Sequence, residues 1–69
     1  MDKKKKLLEL GLKIKEIRSS KGLTQTELAY RIGKDHPSIN RLEKGRINPS
    51  YIFLLEVCDG LGIEIKEML

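Results

Sequence analysis

The chain has 69 residues, of which 35% are charged and 4% aromatic, and its formal net charge is +4. This length allows one small domain, and the single cysteine and single histidine exclude an intrachain disulfide and a structural zinc site. There is neither an apolar run near 18 residues nor a signal-peptide pattern. We therefore expect a cytoplasmic protein that needs no cofactor or metal and does not contact a membrane.

The charge is unevenly distributed along the chain. Residues 1–34 contain ten Lys or Arg and four Asp or Glu, which gives +6, whereas residues 35–69 contain four and six, which gives −2. A basic half can attract phosphate, and an acidic half would then face away from nucleic acid. Many small domains are as basic, so charge alone does not identify a nucleic-acid-binding protein.

The first predicted helix ends near Lys21. Its apolar stripe has the spacing i, i+3, i+7 and i+10: Leu7, Leu10, Ile14 and Ile17. Gly11 leaves open whether this helix begins before or after it. Residues 1–9 are therefore predicted to be either a basic N-terminal arm or the start of the first helix, with residues 10–69 as the folded domain. As an arm, Lys3–Lys6 would follow the phosphate backbone or lie along a groove. The alternative is a disordered, solvated terminus.

Two short helices are predicted back to back, at Thr24–Ile32 and Asp35–Lys44, with Gly33 in the two-residue connection. Thr24 and Glu27 have the spacing of a capping box, which satisfies two amides at a helix start. A short glycine turn between two helices is typical of a helix-turn-helix, in which the second helix packs on the core and its outer face can enter a DNA groove.

The start of the third helix is predicted at Asp35 or His36. Pro37 disfavours helical dihedrals in the residue before it, which favours His36 as the N-cap. Ile39 and Leu42 lie on one side of this helix, and the opposite arc contains His36, Pro37, Asn40, Arg41 and Lys44. Asn and Arg side chains can bind adenine and guanine edges bidentately. A solvated face is the alternative for this helix alone, and the capped helix before it favours groove reading.

The last two predicted helices run from about Ser50 to Asp59 and over roughly Glu64–Met68. The inward apolar residues of the fourth helix are Leu54, Val57, Cys58 and Leu61, so that Cys58 is expected to be a buried core thiol. Leu8 and Leu12 lie off the apolar stripe of the first helix. Ile52 and Leu55 lie off the buried face of the fourth helix, and only some of the apolar residues at the C-terminus can be buried, namely Ile63, Ile65, Met68 and Leu69. All these residues, with Leu8 and Leu12, are candidates for a dimer contact, and we predict that the interface is formed by Ile52, Leu55, Ile63 and Ile65. Scattered surface apolar residues are the alternative.

The stretch Ile14–Leu69 resembles the Cro/C1-type helix-turn-helix family of phage repressors and small bacterial regulators. The residues that carry the resemblance are Ile14, Ile17 and Arg18, Gly22-Leu23-Thr24-Gln25, Glu27-Leu28-Ala29, Ile32-Gly33, Ile39, Leu42-Glu43-Lys44-Gly45, Asn48-Pro49-Ser50, and Leu61-Gly62-Ile63. The resemblance implies a bacterial or phage-encoded protein with an all-α, five-helix, lambda-repressor-like domain that binds operator DNA as a symmetric dimer.

The resemblance also implies a set of functional residues. Gln25 would contact a phosphate and brace the recognition helix, and the pair Arg18–Glu43 would join the first helix to the end of the third. Base contacts are predicted for His36, Pro37, Asn40 and Arg41, although Pro37 departs from the usual glutamine or serine. Backbone contacts are predicted for Thr24, Gln25, Ser38, Lys44, Arg46 and Asn48. Ser38 could instead complete the helix cap, and Asn48 could cap the turn before Pro49.

The predicted function is that of a sequence-specific, double-stranded DNA-binding transcriptional regulator. It would act as a homodimer on a pseudo-palindromic operator, like a phage-type repressor or a restriction-modification controller. The alternatives are an antitoxin that also binds a toxin, and a protein-interaction adaptor that keeps the fold. An enzyme is not expected, because the chain has no second histidine, no nucleophile–base pair at motif spacing and no phosphate loop.

Overall fold

Five helices and no strand make up the protein. In a computed structural model that describes residues 1–69, the helices are α1 (Lys3–Ser20), α2 (Gln25–Arg31), α3 (His36–Glu43), α4 (Tyr51–Leu61) and α5 (Ile65–Met68). The predicted all-α, five-helix fold is confirmed. None of these helices has both the length and the apolar character needed to cross a membrane.

Side-chain caps determine where several helices begin. The predicted capping box of α2 is confirmed, since Thr24 Oγ1 accepts a hydrogen bond from the Glu27 amide and Glu27 Oε1 accepts one from the Thr24 amide, both at 3.0 Å. Ser50 caps α4 by accepting from the Phe53 amide at 3.0 Å. Each cap satisfies amides that have no partner inside the helix.

The predicted N-cap of α3 at His36 is wrong, because Asp35 occupies that position. Asp35 has extended dihedrals, and its Oδ1 accepts a hydrogen bond from the Ser38 amide at 2.9 Å. Pro37 follows as the second helical residue, where a missing N–H leaves no intrahelical bond unmade. The Ser38 amide thus takes part in this cap, as the alternative prediction for Ser38 proposed.

The N-terminal residues form the start of α1, which is the second of the two predicted alternatives, and the prediction of a disordered terminus is wrong. Asp2 caps the helix by accepting from the Lys5 amide at 3.1 Å, and Lys3–Lys6 are helical. The helix continues through Gly11, which is buried where α1 crosses the C-terminal end of α3. A Cβ atom on Gly11 would lie 2.7 Å from the carbonyl oxygen of Leu42. Gly11 therefore permits a close helix crossing.

The core is a single cluster to which all five helices contribute: Ile14, Leu28, Ala29, Ile39, Leu42, Val57, Cys58, Leu61 and Met68. The prediction of a buried Cys58 thiol is confirmed, and desolvation by burial raises its pKa. Gly60 lets α4 approach α2, since a Cβ there would lie 2.9 Å from Leu28 Cδ1. Arg31 closes the same contact by donating from Nη1 to the Gly60 carbonyl at 3.0 Å.

The surplus apolar residues fall into two groups. Ile63 and Ile65 are half-buried and pack against the core cluster, whereas Ile52 and Leu55 are not among the residues packed on it. Ile52 is 63% exposed. On α1, Leu8 and Leu12 are exposed as their place off the apolar stripe predicts.

Candidate nucleic-acid interface

The connection between α2 and α3 is a tight glycine turn. Gly33 has a φ of +69°, a left-handed conformation that residues with a Cβ rarely adopt. The Lys34 amide donates to the Ala29 carbonyl at 2.9 Å, which closes the end of α2. The two helices pack directly on each other, so the turn fixes the direction of α3 relative to the rest of the domain.

One side of α3 is buried and the other faces solvent. Ile39 and Leu42 are fully buried, and Glu43 is buried beside them. The predicted base-contact residues lie on the open side, where His36, Pro37 and Arg41 are exposed and Asn40 is half-buried. Two of the predicted backbone contacts belong to this helix and its C-cap: Ser38 is half-buried and Lys44 is exposed. The helix therefore presents hydrogen-bonding groups outward from a rigid apolar base.

The predicted ion pair Arg18–Glu43 is present and joins α1 to the end of α3. Arg18 donates from Nε to Glu43 Oε2 at 2.6 Å and from Nη2 to Oε1 at 3.0 Å, and its Nη1 donates to the Leu23 carbonyl at 2.6 Å. The hydrogen bond to Glu43 raises the pKa of Arg18. Because both charges are buried and mutually compensated, removing either one alone would leave an unpaired charge inside the protein.

Gln25 extends this pair to the outward face of α3. Its Nε2 donates to Glu43 Oε1 at 2.9 Å, and its Oε1 accepts from Asn40 Nδ2 at 3.2 Å. A carboxylate only accepts hydrogen bonds, so Glu43 determines which way the Gln25 amide points, and Gln25 in turn determines the direction of the Asn40 amide. The bracing role predicted for Gln25 therefore has a structural basis, whereas sequence reasoning missed the bond to Asn40.

A groove between α1 and α3 brings together several of the predicted DNA contacts. Four of these predicted residues line it: Gln25, Asn40, Lys44 and Arg46. From α1, Leu8, Leu12 and Lys15 form the opposite wall, and Glu43 also lines the groove. Sequence reasoning did not single out Lys15, since its neighbours on α3 follow only from how the two helices cross.

The other predicted backbone contacts lie outside this groove. Asn48 lines a separate hollow with residues at the start of α1, namely Met1, Lys3, Lys6 and Leu7. Thr24 is exposed, and its hydroxyl serves as the cap of α2. No group of three or more His, Cys, Asp or Glu side chains is placed to hold a metal ion.

Comparisons with known proteins agree with this geometry. The family model described as "Helix-turn-helix" matches residues 14–68. An uncharacterized HTH-type transcriptional regulator from Methanothermobacter thermautotrophicus is 47% identical over 51 residues, which are 74% of each chain.

Solved structures share the whole fold. The restriction-modification controller protein C.AhdI from Aeromonas hydrophila superposes with a TM-score of 0.90 at 33% identity, over 93% of this chain and 97% of that one. The controller protein C.Esp1396I, solved as a tetramer in complex with its natural 35 base-pair operator, has a TM-score of 0.80 at 31% identity, over 90% and 92% of the two chains. Together with the turn and the outward face of α3, these matches show that the chain belongs to the helix-turn-helix family of DNA-binding transcriptional regulators.

Proposed function

We propose that the protein binds a two-fold symmetric DNA operator as a homodimer and reads its sequence with α3, in the manner of a restriction-modification controller. The observation that carries the proposal is the division of α3 into a fully buried side and an exposed polar side. An exposed, rigidly supported polar helix face is what direct reading of the DNA major groove requires.

Within this proposal, base edges are read by the four outward residues His36, Pro37, Asn40 and Arg41. Arg41 suits guanine, and Asn40 suits adenine because its Oδ1 and one N–H stay free beyond the bond to Gln25. Pro37 offers an apolar contact to a thymine methyl group. The phosphate backbone is bound by Thr24, Gln25, Ser38, Lys44, Arg46 and Asn48, and such contacts position the protein without specifying sequence.

The dimer interface is proposed on α4 and around α5. Ile52 and Leu55 do not pack on the core of their own subunit, and the half-buried Ile63 and Ile65 have exposed surface to add. A small domain gains stability when a second copy covers such residues. A two-fold axis there would place the two α3 helices about 34 Å apart, one turn of DNA.

The comparisons support this assignment in two ways. C.AhdI is a restriction-modification controller, and it aligns with nearly the whole of this chain. C.Esp1396I was solved as a tetramer bound to operator DNA, which supports assembly on DNA for a chain with this fold. Since the target is genomic or phage DNA, we place the protein in the cytoplasm.

Selection of bound duplexes from a random-sequence DNA library tests the proposal. We expect a two-fold symmetric motif whose half-site centres are about 10 base pairs apart, or a near multiple. Duplexes selected in parallel with an Arg41→Ala variant should show no base preference at one position in each half-site. Selection of a single asymmetric site would contradict the dimer, and recovery of no motif would contradict sequence reading.

A further inference from the structure

We propose that the groove between α1 and α3 receives a phosphate of the DNA backbone, and that Lys15 on α1 is one of its ligands. This inference rests on the proposed function, and it adds a residue outside the helix-turn-helix to the DNA-binding surface. Lys15 lines the same groove as Lys44 and Arg46, so one groove carries three cationic side chains from two separate parts of the fold.

The position of Lys15 follows from the crossing of the two helices. Buried Gly11, one turn earlier on α1, lies against the carbonyl oxygens at the end of α3. Residues four apart lie on the same side of a helix, so Lys15 lies on the side of α1 that borders α3. A second close approach occurs nearer the start of α1, where a Cβ atom on Gly45 would lie 2.9 Å from Leu8 Cα. Both contacts place the same side of α1 against the end of α3.

The charge balance of the groove favours an anion. Glu43 is the one acidic residue in its lining, and both of its carboxylate oxygens already accept hydrogen bonds from Arg18. Gln25 donates a further bond to Oε1 at 2.9 Å. Glu43 is thus compensated, whereas the three cations in the lining form no ion pair in the structure.

The occupant is assigned as DNA backbone because the groove is continuous with the reading face. Asn40 lines the groove and also belongs to the outward arc of α3. A duplex read by α3 would therefore pass directly over the groove. A positively charged groove beside a base-reading helix suits phosphate, the dominant ligand in protein–DNA interfaces.

The test compares Lys15→Gln with Lys13→Gln, two variants that each remove one positive charge from an exposed position on α1. Lys13 lines a different hollow, with Glu9, Met68 and Leu69, and so controls for the general loss of charge. Binding to the selected operator and to a scrambled duplex of equal length is measured across salt concentrations, and thermal unfolding confirms that both variants fold.

The salt slope is the slope of the logarithm of the binding constant against the logarithm of the salt concentration. We expect Lys15→Gln to lower its magnitude by about 0.9 per subunit, equally on both duplexes, and Lys13→Gln to lower it much less. Lys15→Arg should retain the wild-type slope. Equal slopes for the Lys15 and Lys13 variants would overturn the groove assignment while leaving the proposed function intact. A Lys15→Gln effect on the operator alone would also overturn it, by indicating a base contact. A wild-type slope near zero would instead contradict DNA binding itself.

Discussion

Gln25 on α2 and Asn40 on α3 are joined by a hydrogen bond of 3.2 Å, from Asn40 Nδ2 to Gln25 Oε1. The bond is directional, because the other end of the Gln25 amide donates to the Glu43 carboxylate. A buried ion pair thus orients an amide on the outward face of α3. This relationship makes Gln25 a positioning residue for Asn40.

A double-mutant cycle tests this coupling. Gln25→Ala and Asn40→Ala should each weaken operator binding by about 1–3 kcal/mol per half-site. The double variant should lose less than the sum, with a coupling of about 0.5–3 kcal/mol, because each single change already breaks the shared bond. The cycle of Gln25 with Arg41, which are not hydrogen-bonded to each other, serves as the control and should be additive. Additivity in both cycles would contradict the positioning role.

Gly11→Ala should destabilise the protein, although the same change usually stabilises an exposed helix by about 0.5–1 kcal/mol. The added Cβ would lie 2.7 Å from the Leu42 carbonyl oxygen and closer still to that of Glu43, so α1 must move away from α3. We expect a loss of about 1–3 kcal/mol in the free energy of unfolding, measured in urea. The exposed position Ser19 on the same helix is the control, and Ser19→Ala should be neutral or mildly stabilising. A more stable Gly11→Ala protein would contradict the close crossing.

Acid should destabilise the start of both helices of the helix-turn-helix. Hydrogen bonds from Ser38 hold the pKa of Asp35 below its ordinary value of 3.8, and those from Thr24 hold the pKa of Glu27 below 4.5. As the pH falls, the two carboxylates take up protons in the unfolded chain before they do so in the folded protein. The stability that the two carboxylates contribute is therefore complete above their ordinary pKa values. It is lost as the pH falls through the lower pKa values of the folded state.

The melting temperature, followed by circular dichroism from pH 6 down to about pH 2, measures this effect. Asp35→Asn keeps a good capping residue but removes the titrating group, so its melting temperature should fall less steeply with acid than that of the wild type. Asp35→Ala should lower the melting temperature at neutral pH as well. Parallel acid profiles for the wild type and Asp35→Asn would argue against the depressed pKa of Asp35.

Ile52→Glu should give a folded protein that no longer dimerises. Ile52 is 63% exposed in the isolated subunit, so a charge there does not enter the core, but in a dimer it would be buried without a partner. Operator affinity should fall steeply because the second half-site no longer benefits from a high effective concentration. Sedimentation velocity at micromolar concentration measures the change. Tyr30→Glu is the matched control, since Tyr30 is 78% exposed on α2, outside the proposed interface. A wild type that sediments as a monomer would refute this interface.

Features set by local sequence could be predicted. The order of the helices, the Thr24–Glu27 capping box and the glycine turn at Gly33 follow from short-range chemistry, and the structure agrees with each. The Arg18–Glu43 pair came from the resemblance to a family pattern and is present. The His36 cap was wrong because Asp35 is the better side-chain acceptor, and a proline at the second helical position is compatible with it.

Features set by the packing of distant elements could not be predicted. Gly11 could be taken for a weak point in α1, because nothing in its neighbourhood reveals that the end of α3 lies against it. Lys15 resembles any other solvated lysine until the crossing brings it beside Lys44 and Arg46. The bond between Gln25 and Asn40 likewise joins residues 15 positions apart. The relationships of Gly11 and Lys15 depend on the direction in which α1 crosses the end of α3, and the Gln25–Asn40 bond depends on how α2 packs against α3.

The central claim, that α3 reads base sequence, is tested most directly by the affinity of Arg41→Ala and Arg46→Ala for the selected operator and for a scrambled duplex. The wild type should prefer the operator by about 10³-fold or more. Arg41→Ala should lose about 1–3 kcal/mol per half-site on the operator and far less on the scrambled duplex. Arg46→Ala should weaken both to the same extent. A wild type with equal affinity for the two duplexes, or an Arg41→Ala protein with an unchanged preference, would contradict the claim.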